Sequence, residues 1–365
     1  MVGGSGAQAS IRWVPSRRIA GPTGPGACVL IAPDPQEPDV SHPPRDESPL
    51  DVSLVDLASP TEERNPASTE LDALDARGMV EVILGEDATV AAAVRSRAAE
   101  IAALVEECVQ AISSGGTVHY LGAGTSGRLG VLDAVELAPT FNADPSMVTA
   151  HLAGGDGAFL TAVEGAEDSS EAGAELVREQ CRPGDVVIGL AASGRTPFVG
   201  GALEAARAAG MPTALISANP QAALAPLADH PILLDVGPEV VTGSTRMKAG
   251  TAQKLTLNAL STAMMVRLGT TFGNLMIDVR PTNAKLVART VRMLVQASGK
   301  SPQRAAAVLE AAGGSVRVAL VALLAGADAE AAAAALADFP RDPRRLGDPA
   351  GIRSAVAALG GGPRP

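Results

Sequence analysis

The 365-residue chain predicts an α/β fold: a doubly wound, five-stranded parallel sheet flanked by helices, with a small helical appendage near the C-terminus. Three observations predict it. Five short apolar runs are bounded by Gly, Asp or Pro; helical patterns separate most of them; and two of the runs end in small, hydroxyl-bearing turns that lead straight into helices.

The strands are expected at TVHYLG (117–122), MVTAHLAG (147–154), DVVIGLAAS (185–193), PTALISA (212–218) and PILLDVG (231–237). Helices are expected at 98–112, 127–137, 170–180 and 199–210, then over a long stretch from about Ser244 to Leu268, and again at 283–298. Sheets of this kind bind ligands at the carboxyl ends of their strands, near the point where the strand order reverses. From Ser301 onward three short helices follow, with Ser301 as an N-cap, Pro302 at the first helical position, and breaks at Gly313, Gly314 and Gly326. Residues 1–50 hold 9 of the 27 prolines and show no hydrophobic period, so they read as a disordered Pro/Gly-rich extension. The main domain then covers 51–299, including an N-terminal arm, the three-helix subdomain 300–338, and a flexible tail 339–365 with room for one short helix.

Composition excludes several functions. A formal charge of −11 and only 7 aromatic residues (1 Trp, 1 Tyr, 5 Phe) argue against a nucleic-acid partner, which needs basic surface and stacking platforms. Cys28, Cys108 and Cys181 form no ligand pair, and His42, His119, His151 and His230 add no zinc spacing, so no metal is expected. No apolar run approaches the ~18 residues of a membrane span, and a reducing cytoplasm is the simplest compartment.

YLGAGTSGRLG (120–130) fits two ligands at first sight. Gly122, Gly124 and Gly127 have dinucleotide-turn spacing, but that fold wants an acidic residue ~20 positions on, at the end of the second strand. Asp144 precedes its strand and Asp156 lies too far along. The competing reading is a monophosphate cradle, which predicts a second turn of the same kind. SGRTP (193–197) supplies it. Gly124, Thr125, Ser126 and Gly127 with Ser193, Gly194, Arg195 and Thr196 would offer hydroxyls, free N–H groups and two helix dipoles to one phosphate. GPEVVTGSTRMKAGTAQKL (237–255) forms a third segment, with Thr242, Ser244 and Thr245 as caps of the long helix and Glu239 just before them. It is either a strong N-cap with solvated Lys248 and Lys254, or a pocket wall in which Glu239, Ser244, Thr245 and Lys248 contact sugar hydroxyls.

These segments, with TEERNPAS (61–68), AGGDGAFLTAVEGAED (153–168), GLAASGRTPFV (189–199), VVTGSTRMKAGTAQKLTLNALST (240–262) and GNLMIDV (273–279), closely resemble the N-acetylmuramic acid 6-phosphate etherases, a branch of the sugar isomerase (SIS) domain proteins. The resemblance runs from about Leu50 to Ala337. It implies cleavage of the lactyl ether of N-acetylmuramic acid 6-phosphate to N-acetylglucosamine 6-phosphate and D-lactate, without metal or organic cofactor, by a cytoplasmic homodimer whose ligand is a small phosphosugar. In the ring-opened sugar the aldehyde makes the C2 proton acidic, so its removal can expel lactate from C3 by β-elimination, and water then adds back. This needs a base at C2 and an acid at the C3 oxygen, roles that two carboxylates in different settings can share.

By the resemblance, Glu136 matches the family's proton donor and Glu164 its second catalytic carboxylate, with acid and base interchangeable from sequence alone. Read without it, Glu136 is a surface carboxylate at a helix end and Glu164 a solvated charge before a helix capped by Asp168. Asn65 is either a pocket residue on the N-terminal arm or a local cap. Glu136 lies 10 residues after Ser126, ~15 Å along a continuous helix, so either that helix bends or Glu136 serves a pocket completed by a second subunit. Two other readings stay open: a non-catalytic hexose-phosphate regulator, and an aldose–ketose sugar phosphate isomerase, which needs no acid beside C3.

Overall fold

A computed structural model describes residues 59–278 and 284–361. The extension expected over 1–50 lies outside them. Five parallel strands, β1 (Val118–Gly122), β2 (Val148–Leu152), β3 (Val186–Leu190), β4 (Thr213–Ser217) and β5 (His230–Leu233), form one sheet in the order β2-β1-β3-β4-β5. The order reverses between β1 and β3, so the crevice for a ligand opens where Gly122 and Leu190 end their strands side by side.

Alternation along the strands feeds two cores. Val118, Tyr120 and Ile188 face the helices α3 (Ala98–Ser113), α4 (Gly124–Phe141) and α7 (Lys248–Arg267), whereas Leu121 and Val187 face α5 (Ser170–Gln180) and α6 (Pro197–Ala208). Ahead of these, α1 (Ala76–Asp87) and α2 (Val90–Arg95) follow an arm of short 3-10 turns. Glycine decides how closely α4 approaches β1. A Cβ on Gly127 would stand 2.5 Å from the Gly122 carbonyl oxygen, and one on Gly122 would stand 2.8 Å from the Gly127 nitrogen. The two glycines therefore seat the first turn of α4 directly on the strand end.

Beyond a small hairpin, β6 (Thr271–Phe272) and β7 (Leu275–Met276), a separate core forms from α8 (Ala284–Ser298), α9 (Pro302–Ala311), α10 (Val316–Ala325), α11 (Ala329–Asp338) and α12 (Ile352–Ala358). Ser301 caps α9 by accepting from Arg304 N, Pro302 opens it, and Gly326 ends α10 in a left-handed conformation. This unit is larger than the three helices expected at 300–338, because Leu294 of α8 and Ile352, Ala355 and Val356 of α12 share its core. In the segment expected as a flexible tail, Asp348, Ala350, Ile352, Ala355 and Val356 are buried, and Arg353 stacks over Phe272. No single described helix is long and apolar enough to cross a membrane.

Three boundaries differ from expectation, each for a local reason. α4 begins at Gly124, so GTSGR is the first turn of the helix itself and not a loop before it. Asp168 belongs to a 3-10 turn, and Ser169, whose backbone is extended, caps α5 by accepting from Ala172 N. α7 begins at Lys248, not near Ser244, because its cap comes from nine residues upstream: Glu239 accepts Lys248 N and Ala249 N, both at 2.9 Å.

Candidate active site

Strand β1 delivers Gly124, Thr125, Ser126 and Gly127 into the first turn of α4, and β3 delivers Ser193, Gly194, Arg195 and Thr196 to the start of α6. Because β1 and β3 are neighbours, the two turns emerge side by side at the reversal point. Neither helix is capped by a side chain: Ala123 at the head of α4 has none to offer, and Thr196 at the head of α6 makes no capping bond. The amides of Gly124, Thr125 and Ser126 in α4 and of Phe198 and Val199 in α6, where Pro197 has none, therefore lack a helical acceptor, and both helices present the positive ends of their dipoles at the reversal point.

Interior hydrogen bonds fix these turns. Ser126 is buried and donates its hydroxyl to Gln253 Oε1 at 2.8 Å, while Gln253 Nε2 donates to the Ile216 carbonyl at 3.2 Å. Ser126 thus ties α4 to α7 and β4, and what it offers a ligand is its backbone amide. The second turn is held from β4: Asn219 Nδ2 donates to the Ser193 carbonyl at 3.1 Å, and Leu224 N donates to the Gly194 carbonyl at 3.0 Å. Thr125, Ser193, Arg195 and Thr196 remain half-buried at the mouth. A Cβ on Gly250 would sit 3.6 Å from Thr125 Cγ2, so the start of α7 abuts the first turn. Ser244 and Thr245 lie half-buried in the turn leading into it.

Three residues expected against the sugar are spent elsewhere. Glu239 is fully buried with both oxygens on the α7 amides, and burial raises its pKa. Lys248, read as either a solvated lysine or a sugar contact, is 2% exposed and donates its ammonium to Glu86 Oε2 at 2.7 Å. Asn65 caps its own 3-10 turn through Ala67 N and donates Nδ2 to Glu86 at 2.7 Å and to the Pro238 carbonyl at 3.1 Å. Sequence reading missed Glu86, the hub of this network. It lies 21 residues from Asn65 and 162 from Lys248, so no local spacing could reveal it. The bonds from Lys248 and Asn65 hold the Glu86 carboxyl below its usual range.

Glu136 and Glu164 are both exposed. α4 runs without interruption from Gly124 past Pro139 to Phe141, which carries Glu136 ~18 Å along the axis from Gly124. Exposed apolar side chains flank the two carboxylates: Leu132 and Val135 beside Glu136, Phe159, Leu160 and Val163 before Glu164. Elsewhere, a cavity of about 660 Å³ opens at the far end of α7, but the arginines lining it are already engaged, Arg267 by Glu106, Arg344 by Asp342 and Arg341 by Asp278. Among the described residues, no three His, Cys, Asp or Glu side chains are grouped to hold a metal.

Two family models match the chain: the glucokinase regulatory protein N-terminal SIS domain over residues 100–207, and the SIS domain over 164–263. The N-acetylmuramic acid 6-phosphate etherase of Cutibacterium acnes is 50% identical over 287 residues, covering 78% of this chain and 94% of the relative. That of Mycolicibacterium smegmatis is 50% identical over 310 residues, covering 85% and 100%. Symbiobacterium thermophilum has one 52% identical over 266 residues, covering 73% and 89%. Among solved structures, a phosphoheptose isomerase from Neisseria gonorrhoeae aligns with a TM-score of 0.42 at 20% identity, over 52% of this chain and 98% of that one.

Proposed function

Because the chain belongs to the N-acetylmuramic acid 6-phosphate etherase family, we infer that it cleaves the D-lactyl ether of that sugar phosphate, releasing D-lactate and N-acetylglucosamine 6-phosphate in cell-wall sugar recycling. The observation that carries the reading is the pair of uncapped helix N-termini, α4 and α6, emerging from adjacent strands. They suit a monophosphate, which would take the amides of Gly124, Thr125, Ser126, Ser193, Arg195 and Thr196 with the hydroxyls of Thr125, Ser193 and Thr196, while Gly127 and Gly194, whose amides bond the Ala123 and Ala191 carbonyls, shape the two turns. Half-buried in the turn before α7, Ser244 and Thr245 are the hydroxyls that would meet the sugar.

The reaction is a carbon–oxygen lyase step followed by hydration. A carboxylate takes the C2 proton, electrons form the C2=C3 double bond, and the C3–O bond breaks as the second carboxylic acid protonates the leaving lactate oxygen. Water then adds at C3 and a proton returns to C2. Glu136 is the natural acid and Glu164 the natural base. The uninterrupted α4 and the exposed Leu132, Val135, Phe159, Leu160 and Val163 support a homodimer in which Glu136 works on a phosphosugar held by the other subunit.

The deciding test is D-lactate released from N-acetylmuramic acid 6-phosphate by the parent and by Glu136→Gln. Release by the parent with loss in the variant supports both the reaction and the acid. Bound sugar phosphate without any lactate from the parent would overturn the etherase reading.

A further inference from the structure

Arg128 closes the motif GTSGR, and its position in the first phosphate turn suggests a phosphate ligand. Its guanidinium is engaged otherwise. Nε donates to the Phe159 carbonyl at 3.0 Å and Nη2 to the Ala158 carbonyl at 2.7 Å. Those carbonyls end the 3-10 turn Asp156–Phe159, where an intrahelical donor is lacking, so the planar fork serves as a C-terminal cap for two successive peptide groups. Four residues separate this turn from Glu164.

The loop is pinned again on either side of that contact. The Cα of Gly154, at the end of β2, is packed so closely by Val163 that a Cβ there would stand 2.9 Å from Val163 Cβ. After Glu164, the start of α5 is pressed backbone to backbone against the start of α6. A Cβ on Gly201 would come within 1.9 Å of the Ser170 carbonyl oxygen, and one on Gly173 within 1.9 Å of the Phe198 carbonyl oxygen. The segment bearing Glu164 is therefore fixed before the carboxylate by a side chain from the helix of one phosphate turn, and after it by the helix of the other.

We propose that Arg128 is a positioning residue: it holds the 156–165 loop, and so the Glu164 carboxylate, at a set distance from the bound phosphosugar, and does not bind the phosphate itself. The proposal rests on the reading of Glu164 as a group that touches the substrate. A displaced carboxylate should slow proton transfer while the phosphate anchor, built from amides and hydroxyls, keeps its affinity. Lysine retains the charge but lacks the fork, so it cannot cap both carbonyls.

The experiment compares Arg128→Lys, Glu164→Gln and the double variant. It measures kcat and KM for N-acetylmuramic acid 6-phosphate and the Kd of N-acetylglucosamine 6-phosphate. Arg128→Lys is expected to lower kcat by about 10²-fold, the size of effect that a misplacement near 1 Å produces, while the product Kd moves less than about twofold. On the Glu164→Gln background the same change should cost almost nothing, because the group that it positions is already disabled. A weakening of product Kd by about tenfold would make Arg128 a phosphate ligand and overturn the proposal. So would an equal loss on both backgrounds, or an unchanged kcat in Arg128→Lys while Glu164→Gln is inactive. Full activity in Glu164→Gln would instead remove the reading of Glu164 on which the proposal stands. Hydrogen exchange at the Leu160 and Thr161 amides, which donate to the Gly157 carbonyl, reports whether the turn has opened in a variant that is otherwise folded.

Discussion

Lys248 Nζ and Glu86 Oε2 meet at 2.7 Å although they are 162 positions apart in the chain, and the lysine side chain is almost wholly enclosed. The contact joins the end of α1 to the first residue of α7. With Asn65 on Glu86 and Glu239 on the α7 amides, it fastens the N-terminal arm to the helix start that abuts the first phosphate turn.

Removing one partner of this pair should cost more than removing both. Glu86→Gln strands a buried ammonium, with an expected loss of about 3 kcal/mol. Lys248→Met leaves Glu86, whose carboxylate reaches water and keeps Asn65, and should cost less. The double variant Glu86→Gln/Lys248→Met should be more stable than Glu86→Gln alone. Urea unfolding of the three variants checks the order, and a double variant less stable than Glu86→Gln would contradict it.

Glu239→Gln tests the remote cap. The amide keeps one acceptor oxygen where the carboxylate used two, so one N–H of α7 loses its partner in a buried place. The expected cost is about 1–2 kcal/mol, seen as a lower unfolding midpoint with unchanged m-value.

Acid should weaken the fold through the stacked His119–His151 pair, with Thr149 and Asp185 hydrogen-bonded to His119. Burial, with the neighbouring His119, pushes His151 down to about 4, and burial also lowers His119 in spite of Asp185. Both rings stay neutral in the native state, while the unfolded chain binds protons below about pH 6.5. This contribution is intact above pH 6.5 and is lost as pH falls toward 4. His151→Gln should therefore recover about 1 kcal/mol of relative stability at pH 5 compared with pH 7. Thermal unfolding at the two pH values decides it; parallel pH dependence in parent and variant would rule the pair out as the cause.

A shared site predicts complementation. Glu136→Gln and Thr125→Val should each be impaired alone. Co-refolding equal amounts would place one intact Glu136 opposite one intact phosphate turn in the mixed dimers, restoring about a quarter of parental activity. Mixtures no better than the separate variants would put Glu136 and the phosphate turn of one chain in the same pocket.

Much of the fold was legible because its signals are local. The five strands, the Ser301 cap, Pro302 and the Gly326 stop each follow from residues within a few positions of one another. The turns that lead from β1 into α4 and from β3 into α6 were legible for the same reason. The start of α7 was misread, since its cap is Glu239, nine residues upstream. The α5 cap is Ser169 and not Asp168, because composition cannot show which of two neighbours has the extended backbone.

By itself the sequence determined the sheet, the pair of hydroxyl-bearing turns and the family, all of which rest on periodicity, small residues and contiguous motifs. Only the tertiary structure decided what the long polar side chains do. Asn65, Lys248 and Glu239 looked like ligands of a sugar, yet burial obliges each to spend its polar atoms on Glu86, Pro238 or the α7 amides. Arg128, one residue past the first turn, caps the Ala158 and Phe159 carbonyls. The physical reason for the first three is that a buried donor or acceptor must find a partner, and for all four which partner is near depends on chain segments that no local pattern brings together.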